Sequence, residues 1–324
     1  MKIIFSFFLF LSLTVATYAQ GIKPIFPIFE RIVVFGDSLS DLGTYKAYAG
    51  ARGGGKFTTN PGKLWIEVVA DYLNLPVSAN RQEGFGIPLK LLGGFDYAQG
   101  GARISEPAIT TLGKDSARSV EIQLGYFLSE QSSFKDSDIV FLLAGANDEQ
   151  AYLNAVASGT MTPEDAVKAT AFAAAKLAAI VQKISDSGAT HVIVLNLPMI
   201  EKTPRALSQD PQTQGFISVV TKTFNQTLQA QLANKNVLLI DFYSFDEKFN
   251  LAYESYGFTN ITSPACRLQL LPGKSSLFCT KGTLVSPRAN KKFKFADTIH
   301  PTTGFSKVAG DFVWSELQKY FLSK

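Results

Sequence analysis

The chain has 324 residues, 46% of them hydrophobic and 18% charged, and a formal net charge of +4. That length is enough for a substantial core in one α/β domain or in two smaller ones. A charge so close to balance, with Lys291-Lys292-Phe293-Lys294 as its densest basic cluster, argues against nucleic acid or another polyanion as partner, and a solvated loop accounts for the cluster.

Lys2, the apolar run from Ile3 to Val15 and the small residues around Tyr18 read as a signal peptide cut after Ala19. The run is shorter than the ~20 residues a membrane span needs. The most apolar later stretch, Ala171 to Val181, is interrupted by Lys176. A secreted or periplasmic protein is therefore expected, with residues 20–324 forming a single domain.

Five apolar runs follow: Ile32–Phe35, a weaker Phe95–Ala98, Ile139–Ala144, Val192–Leu197 and Val237–Ile240. Each is continuous rather than alternating, the pattern of strands buried on both faces. Helical periodicity is expected over Gly62–Leu73, behind an Asn60-Pro61 that reads as cap and first-turn proline. Further helices are expected over Val120–Glu130, Pro163–Asp186 and Gln214–Ala233, and from His300-Pro301 to about Tyr320. The alternation predicts a doubly wound α/β fold on a parallel sheet.

Phe242–Ala296 offers no clear further strand and reads as a structured excursion over the sheet edge. It holds the only two cysteines, Cys266 and Cys279. In an exported chain they read as one disulfide; metal binding is the alternative, although no His lies beside them. Its seven aromatics from Phe242 to Phe258 suit either the floor of an acyl groove or an ordinary core helix.

Ligands of open parallel sheets bind outside the carboxyl ends of the strands. Three of the runs lead there into Gly36-Asp37-Ser38, Gln99-Gly100-Gly101-Ala102 and Gly145-Ala146-Asn147-Asp148. Asp37, Ser38, Ser40 and Asp41 could serve simply as helix caps. Of the two histidines, His191 precedes its strand and falls at the opposite pole, so His300 is the imidazole available as a base. Asp297 lies three residues before it, close enough to turn back to the ring. Ser38, His300 and Asp297 would supply the nucleophile, base and orienting carboxylate of acyl transfer. The Ser38 N–H, the Gly101 N–H (or that of Gly100) and the Asn147 amide would receive the oxyanion. A metal-dependent phosphoesterase built on Asp37, Asn147, Asp148 and His300 would need more ligands than this pole supplies.

These blocks resemble the GDSL or SGNH serine hydrolases. Gly36-Asp37-Ser38-Leu39-Ser40-Asp41, Gly100-Gly101-Ala102, Gly145-Ala146-Asn147-Asp148 and Asp297-Thr298-Ile299-His300-Pro301 occur in order, and Tyr256-Gly257-Phe258-Thr259-Asn260 is similar to a stretch of bacterial lipolytic members. The resemblance runs from residue 31 to about 320. It implies a three-layer α/β/α sandwich with a mostly parallel, five-stranded, flavodoxin-like sheet. It also implies ester hydrolysis without cofactor or metal, and the roles given above for Ser38, Gly101, Asn147, Asp297 and His300. Thr44 and Asp96 stand where many relatives have Asn.

Export, paired cysteines and length look most like the secreted lysophospholipases and glycerophospholipid:cholesterol acyltransferases of this family. Their likeness implies a lipid ester met at a membrane or micelle surface. A secreted carboxylesterase for short soluble or glycan esters is the other enzymatic reading. A non-catalytic lipid- or glycan-binding protein on the same scaffold is a third, since fold alone does not set function.

Overall fold

The computed structural model describes residues 26–106 and 117–323. The expected leader and its cleavage point after Ala19 lie outside the described residues. In chain order the elements are β1 (Arg31–Gly36), α1 (Lys46–Ala49), α2 (Trp65–Leu73), β2 (Arg81–Gly84), β3 (Ile87–Leu91), α3 (Val120–Gln131), β4 (Asp138–Leu143), α4 (Ala146–Ala157) and α5 (Pro163–Asp186). They continue with β5 (His191–Leu195), α6 (Pro204–Leu207), α7 (Pro211–Leu232), β6 (Leu238–Ile240), α8 (Phe242–Ala252), β7 (Asn260–Pro264), α9 (Ala289–Lys292), β8 (Phe293–Phe295) and α10 (Thr303–Leu322). Among the described residues no helix is long and apolar enough to cross a membrane.

The central sheet has the order β1-β4-β5-β6 with every pair parallel. Its continuous runs are buried as their composition requires; all six residues of β4 are buried, Asp138 among them because Arg31 pairs with it. Phe35 lies opposite Leu142, while Phe141 points to the other face. Phe35 meets Phe127 of α3, and Phe141 meets Trp65 of α2. The sheet is thus covered on both faces. One layer holds α2 packed on α10; the other holds α5, packed against α3, α4 and α7.

The expected fifth strand is corrected to a bridged edge. Phe95–Ala98 makes only isolated parallel bridges, both at Asp96: one to Val34, where the Val34 N–H donates to Phe95 O (3.0 Å) and the Tyr97 N–H to Val34 O (2.9 Å), and one to Ala79, where the Asp96 N–H donates to Ser78 O (3.0 Å) and the Asn80 N–H to Asp96 O (2.7 Å). The cause is Asp96, whose buried carboxylate accepts from the Leu42 N–H (2.7 Å) and, two residues ahead, from the Ala98 N–H (3.0 Å). This local turn competes with a ladder. With this edge counted, the spatial order is the flavodoxin-like one, and its switch point falls between β1 and β4.

Helix starts follow their caps. Thr162 accepts from the Asp165 N–H ahead of Pro163, and Asp210 from the Gln212 and Thr213 N–H groups ahead of Pro211, so α7 begins three residues before the expected Gln214. The Asn60-Pro61 start for α2 is overturned. The Asn60 side-chain oxygen, the atom that would cap, accepts instead from the Lys56 N–H (3.0 Å), while its NH₂ points to the carbonyls of Lys56, Thr58, Ser276 and Cys279. The helix instead opens at Trp65, where the Glu67 carboxylate accepts from the Leu64 N–H (2.8 Å).

The excursion also departs from expectation, because it contains a parallel pair: Asn260 lies opposite Phe293 and Pro264 opposite Phe295. Asn-Ile-Thr-Ser-Pro carries no strand-like alternation, and an irregular register lets it pair regardless. Cys266 and Cys279 are joined, with Cα atoms 6.0 Å apart, so no thiolate pair remains for a metal. Around the bridge Tyr45, Phe57, Leu271, Leu277 and Phe278 form a small core of their own. Lys294 is not part of a solvated loop. It is 2% exposed and donates to Asp246 (2.6 Å) and Asn250 (2.9 Å).

Candidate active site

Strand β1 ends against β4 so closely that a Cβ on Gly36 would lie 2.3 Å from Leu143 O. Gln123 secures that end: its side chain accepts from the Gly36 N–H (2.9 Å) and donates to Gly36 O (2.8 Å). The chain then turns. The Ser40 N–H donates to Asp37 O (3.1 Å) and the Leu39 N–H to the Asp37 carboxylate (3.0 Å), which leaves Ser38 Oγ projecting from the strand end.

His300 Nε2 lies 2.8 Å from that oxygen, and Nδ1 lies 2.7 Å from Asp297 Oδ2. Strand β8 delivers Asp297 two residues beyond its end, and the carboxylate also accepts from the N–H groups of Ile299 (2.9 Å), His300 (2.7 Å) and Ser276 (2.7 Å). Burial opposes ionisation of Asp297, but the His300 imidazole beside it and the N–H groups of His300 and Ile299 outweigh it and hold the carboxyl well below the usual range. An ionised carboxylate only accepts, so Nδ1 carries the hydrogen and Nε2 presents its lone pair to Ser38. Burial and the nearby Asp148 and Asp41 push neighbouring Asp37 up to about 7, despite the Leu39 N–H and His300. Its Oδ2 is buried without a hydrogen-bond partner.

The second turn is organised by Asp41. Its carboxylate accepts from the Gly43 (2.9 Å), Thr44 (2.7 Å) and Gly100 (2.8 Å) N–H groups, while Tyr45 Oη donates to Gly100 O (2.7 Å). The Gly100 N–H is therefore committed. Gly101 follows it at φ +88°, a conformation that suits glycine, so of the two glycines it is Gly101 whose N–H is left for a ligand. Thr44 is buried and donates to Ala98 O (3.2 Å), so this departure from the family pattern packs the turn, as Asp96 does.

The third turn starts α4. Gly145 has φ +125°, and a Cβ there would lie 2.4 Å from the Phe224 ring. The Asn147 amide donates to Ala102 O (2.9 Å), which uses one of its two hydrogens and links this turn to the second. Asp148 ties the same turns together through Arg103 Nε (3.1 Å) and the Ile104 N–H (3.0 Å). With both its oxygens taken, Asp148 is a poor metal ligand, which argues against the phosphoesterase reading.

A cavity of about 120 Å³ adjoins Ser38 and His300; Leu39, Trp65, Leu143, Met199, Phe295 and Phe305 are among the apolar residues that line it. Of the seven aromatics considered for a groove floor only Phe242 reaches it; Phe245, Phe249 and Phe258 are buried in the main core. Two of its lining residues, Lys294 and Asp246, escaped the sequence reading. The one sequence signal for Lys294 was its place between Phe293 and Phe295, which in a strand puts it on a face of its own. His191 lies at the far pole against Phe29 and Phe321.

A model of the GDSL-like lipases and acylhydrolases matches residues 32–313. Phosphatidylcholine-sterol acyltransferase of Aeromonas hydrophila is 28% identical over 234 residues, which cover 69% of this chain and 60% of that protein. An uncharacterized protein from the trpE-trpG intergenic region of Pseudomonas putida is 26% identical over 317 residues, 89% of this chain and 48% of its own length. The chain thus spans between about half and three fifths of these two relatives. Among solved structures, phospholipase A1 from Streptomyces albidoflavus NA297 aligns over 90% of this chain and 99% of its own at 13% identity and a TM-score of 0.46. The M. smegmatis aryl esterase aligns over the same shares at 17% identity and a TM-score of 0.44.

Proposed function

The chain belongs to the family of GDSL-like lipases and acylhydrolases, and on that premise we propose that it hydrolyses acyl esters of phospholipids and lysophospholipids through an acyl-enzyme on Ser38. One observation carries the reading: the hydrogen-bonded series from Ser38 through His300 to Asp297, set at the mouth of an apolar cavity. Ser38 Oγ attacks the ester carbonyl while its proton passes to His300 Nε2. The bond to the alcohol breaks, and the alcohol departs with that proton. Water then repeats the sequence at the acyl-enzyme, freeing the acid and restoring Ser38.

The developing oxyanion is received by the N–H groups of Ser38 and Gly101 and the second amide hydrogen of Asn147. Asn147→Ala should accordingly lower kcat by about 10²- to 10³-fold with a much smaller change in KM. A loss falling mainly on KM would make Asn147 a substrate-binding residue instead.

The activity named in the A. hydrophila relative supports a further step, in which an alcohol takes the place of water and accepts the acyl group. The disulfide supports export to the periplasm or beyond, where substrate would be met at a membrane or micelle surface. The size of the cavity, about 120 Å³, favours a second reading, esters of short acyl groups, because an engineered apolar cavity of about 150 Å³ accommodates a molecule the size of benzene. One panel separates these readings. Wild type and Ser38→Ala are assayed side by side on lysophospholipid, diacyl phospholipid and p-nitrophenyl acetate, with and without cholesterol. Turnover of the acetate alone would remove the lipid reading. Activity unchanged in Ser38→Ala would remove the nucleophile.

A further inference from the structure

Arg205 stands where the cavity beneath Ser38 meets a second depression. That depression encloses about 420 Å³ beside α4 and α7 and shares Gln150, Ile200, Thr203, Arg205 and Ile299 with the wall of the first. The two spaces differ in chemistry. Beside the shared residues, the inner one is walled mainly by aromatic and aliphatic side chains; Asp37, Asn147 and Ser306 also line it, and the Lys294–Asp246 pair in its wall is neutralised within itself. The outer one combines apolar residues with Gln150, Asn154, Gln209, Gln212 and Thr213, and Arg205 is the one charged residue in its lining.

Arg205 is exposed, and among the described residues it makes no ion pair with a carboxylate; its guanidinium donates to Gln150 Oε1 at 2.6 Å. Its backbone N–H donates to Thr298 O (3.0 Å), which ties it to the segment that carries Asp297 and His300. An ester held at Ser38 has two halves, and each needs a space. The small apolar cavity suits the carbons next to the carbonyl, so the alcohol half falls to the outer depression, where a guanidinium without a counter-ion waits. Such a group binds a phosphate through paired, charge-assisted hydrogen bonds, and the contact given up, with a neutral amide oxygen, is weaker.

We propose that the outer depression receives the alcohol half of the ester and that Arg205 binds a phosphate on it, selecting phosphorylated glycerol esters over neutral ones. The proposal rests on the reading of Ser38 as the nucleophile.

Monobutyrylglycerol and its phosphate monoester form a matched soluble pair, free of micelle effects. Wild type should favour the phosphorylated ester. Arg205→Ala should lower kcat/KM on that ester by about tenfold, the low end for a bond to a charged group because the site is open to solvent. The change should fall on KM, and the neutral ester should move by less than about twofold. Arg205→Lys should restore part of the loss, and about 0.5 M salt should narrow the preference of the wild type. Equal losses on both esters would overturn the proposal, because they would report the tether to Thr298 rather than a phosphate contact; so would a wild type without preference. Binding of glycerophosphate to Ser38→Ala and to Ser38→Ala/Arg205→Ala, followed by calorimetry, tests Arg205 without turnover, and equal affinities would again overturn it. Full activity of Ser38→Ala on either ester would sink the nucleophile instead, whatever Arg205 does.

Discussion

Ser38→Ala should lower kcat by about 10⁵- to 10⁶-fold, and His300→Ala by a similar factor, because nucleophile and base act as one unit. The geometry allows no substitute for either. Ser38 Oγ sits at the strand end 2.8 Å from Nε2, and the other histidine of the chain is packed among rings at the opposite pole of the sheet. The diagnostic is non-additivity: once one partner is gone the other has nothing to act on, so the double variant should be no slower than either single one. What remains over the uncatalysed reaction, about 10³- to 10⁴-fold, would come from the oxyanion donors and from substrate binding. Both variants should keep the melting temperature of the wild type to within a few degrees, so that a loss of rate is not a loss of fold. Retention of a tenth of the activity by either would refute the assignment.

The parts of this arrangement that could be read from the sequence are those carried by side chains on strongly patterned elements. The continuous runs around Val33, Phe141 and Ile193 mark strands buried on both faces, and the pole to which they lead is where Ser38, Asn147, Asp297 and His300 now lie near one another. Two histidines in the whole chain made the choice of His300 one of elimination. What could not be read depends on backbone groups or on partners distant in sequence. The N–H of Ser276 carries no compositional mark, yet it donates to Asp297 across 21 residues. Lys294 looked like one of a basic cluster until Asp246, 48 residues away, met it. Phe95–Ala98 has the composition of a strand, but Asp96 inside it draws two N–H groups to its side chain, and no ladder extends beyond isolated bridges to Val34 and Ala79. The excursion hid its strands for a related reason, because β7 is short and polar and pairs irregularly.

Asp297→Asn should lower kcat by about 10⁴-fold. Both oxygens of Asp297 only accept: Oδ1 from the N–H groups of Ile299 and His300, Oδ2 from His300 Nδ1 and the N–H of Ser276. Asparagine replaces one oxygen with a donor, and either orientation conflicts with this set. An amide NH₂ facing Ile299 and His300 sets donor against donor and loses two bonds. Turned toward Nδ1, it demands the tautomer in which Nε2 bears the hydrogen and can no longer take the proton of Ser38, and it still opposes the Ser276 N–H.

The same carboxylate sets an acid-dependent stability with a definite sign. Its pKa in the fold lies below the unfolded value of about 3.9, so its contribution is present above that pH and is lost as the pH falls further. The stability gap between wild type and Asp297→Asn, read by urea unfolding, should therefore shrink on going from neutral pH to below about pH 4. A gap independent of pH would mean that the carboxyl is not held ionised by its donors.

Ser276 belongs to the loop closed by Cys266 and Cys279, which connects the bridge to catalysis more directly than a movable lid would. Replacing both cysteines by Ala frees that N–H to drift while Ile299 and His300 still hold Oδ1. The expected result is a loss of kcat far smaller than that of Asp297→Asn and equal on a short soluble ester and on a long-chain lipid, together with a loss of stability of about 3 kcal/mol. A loss confined to the lipid would make the loop a lid after all.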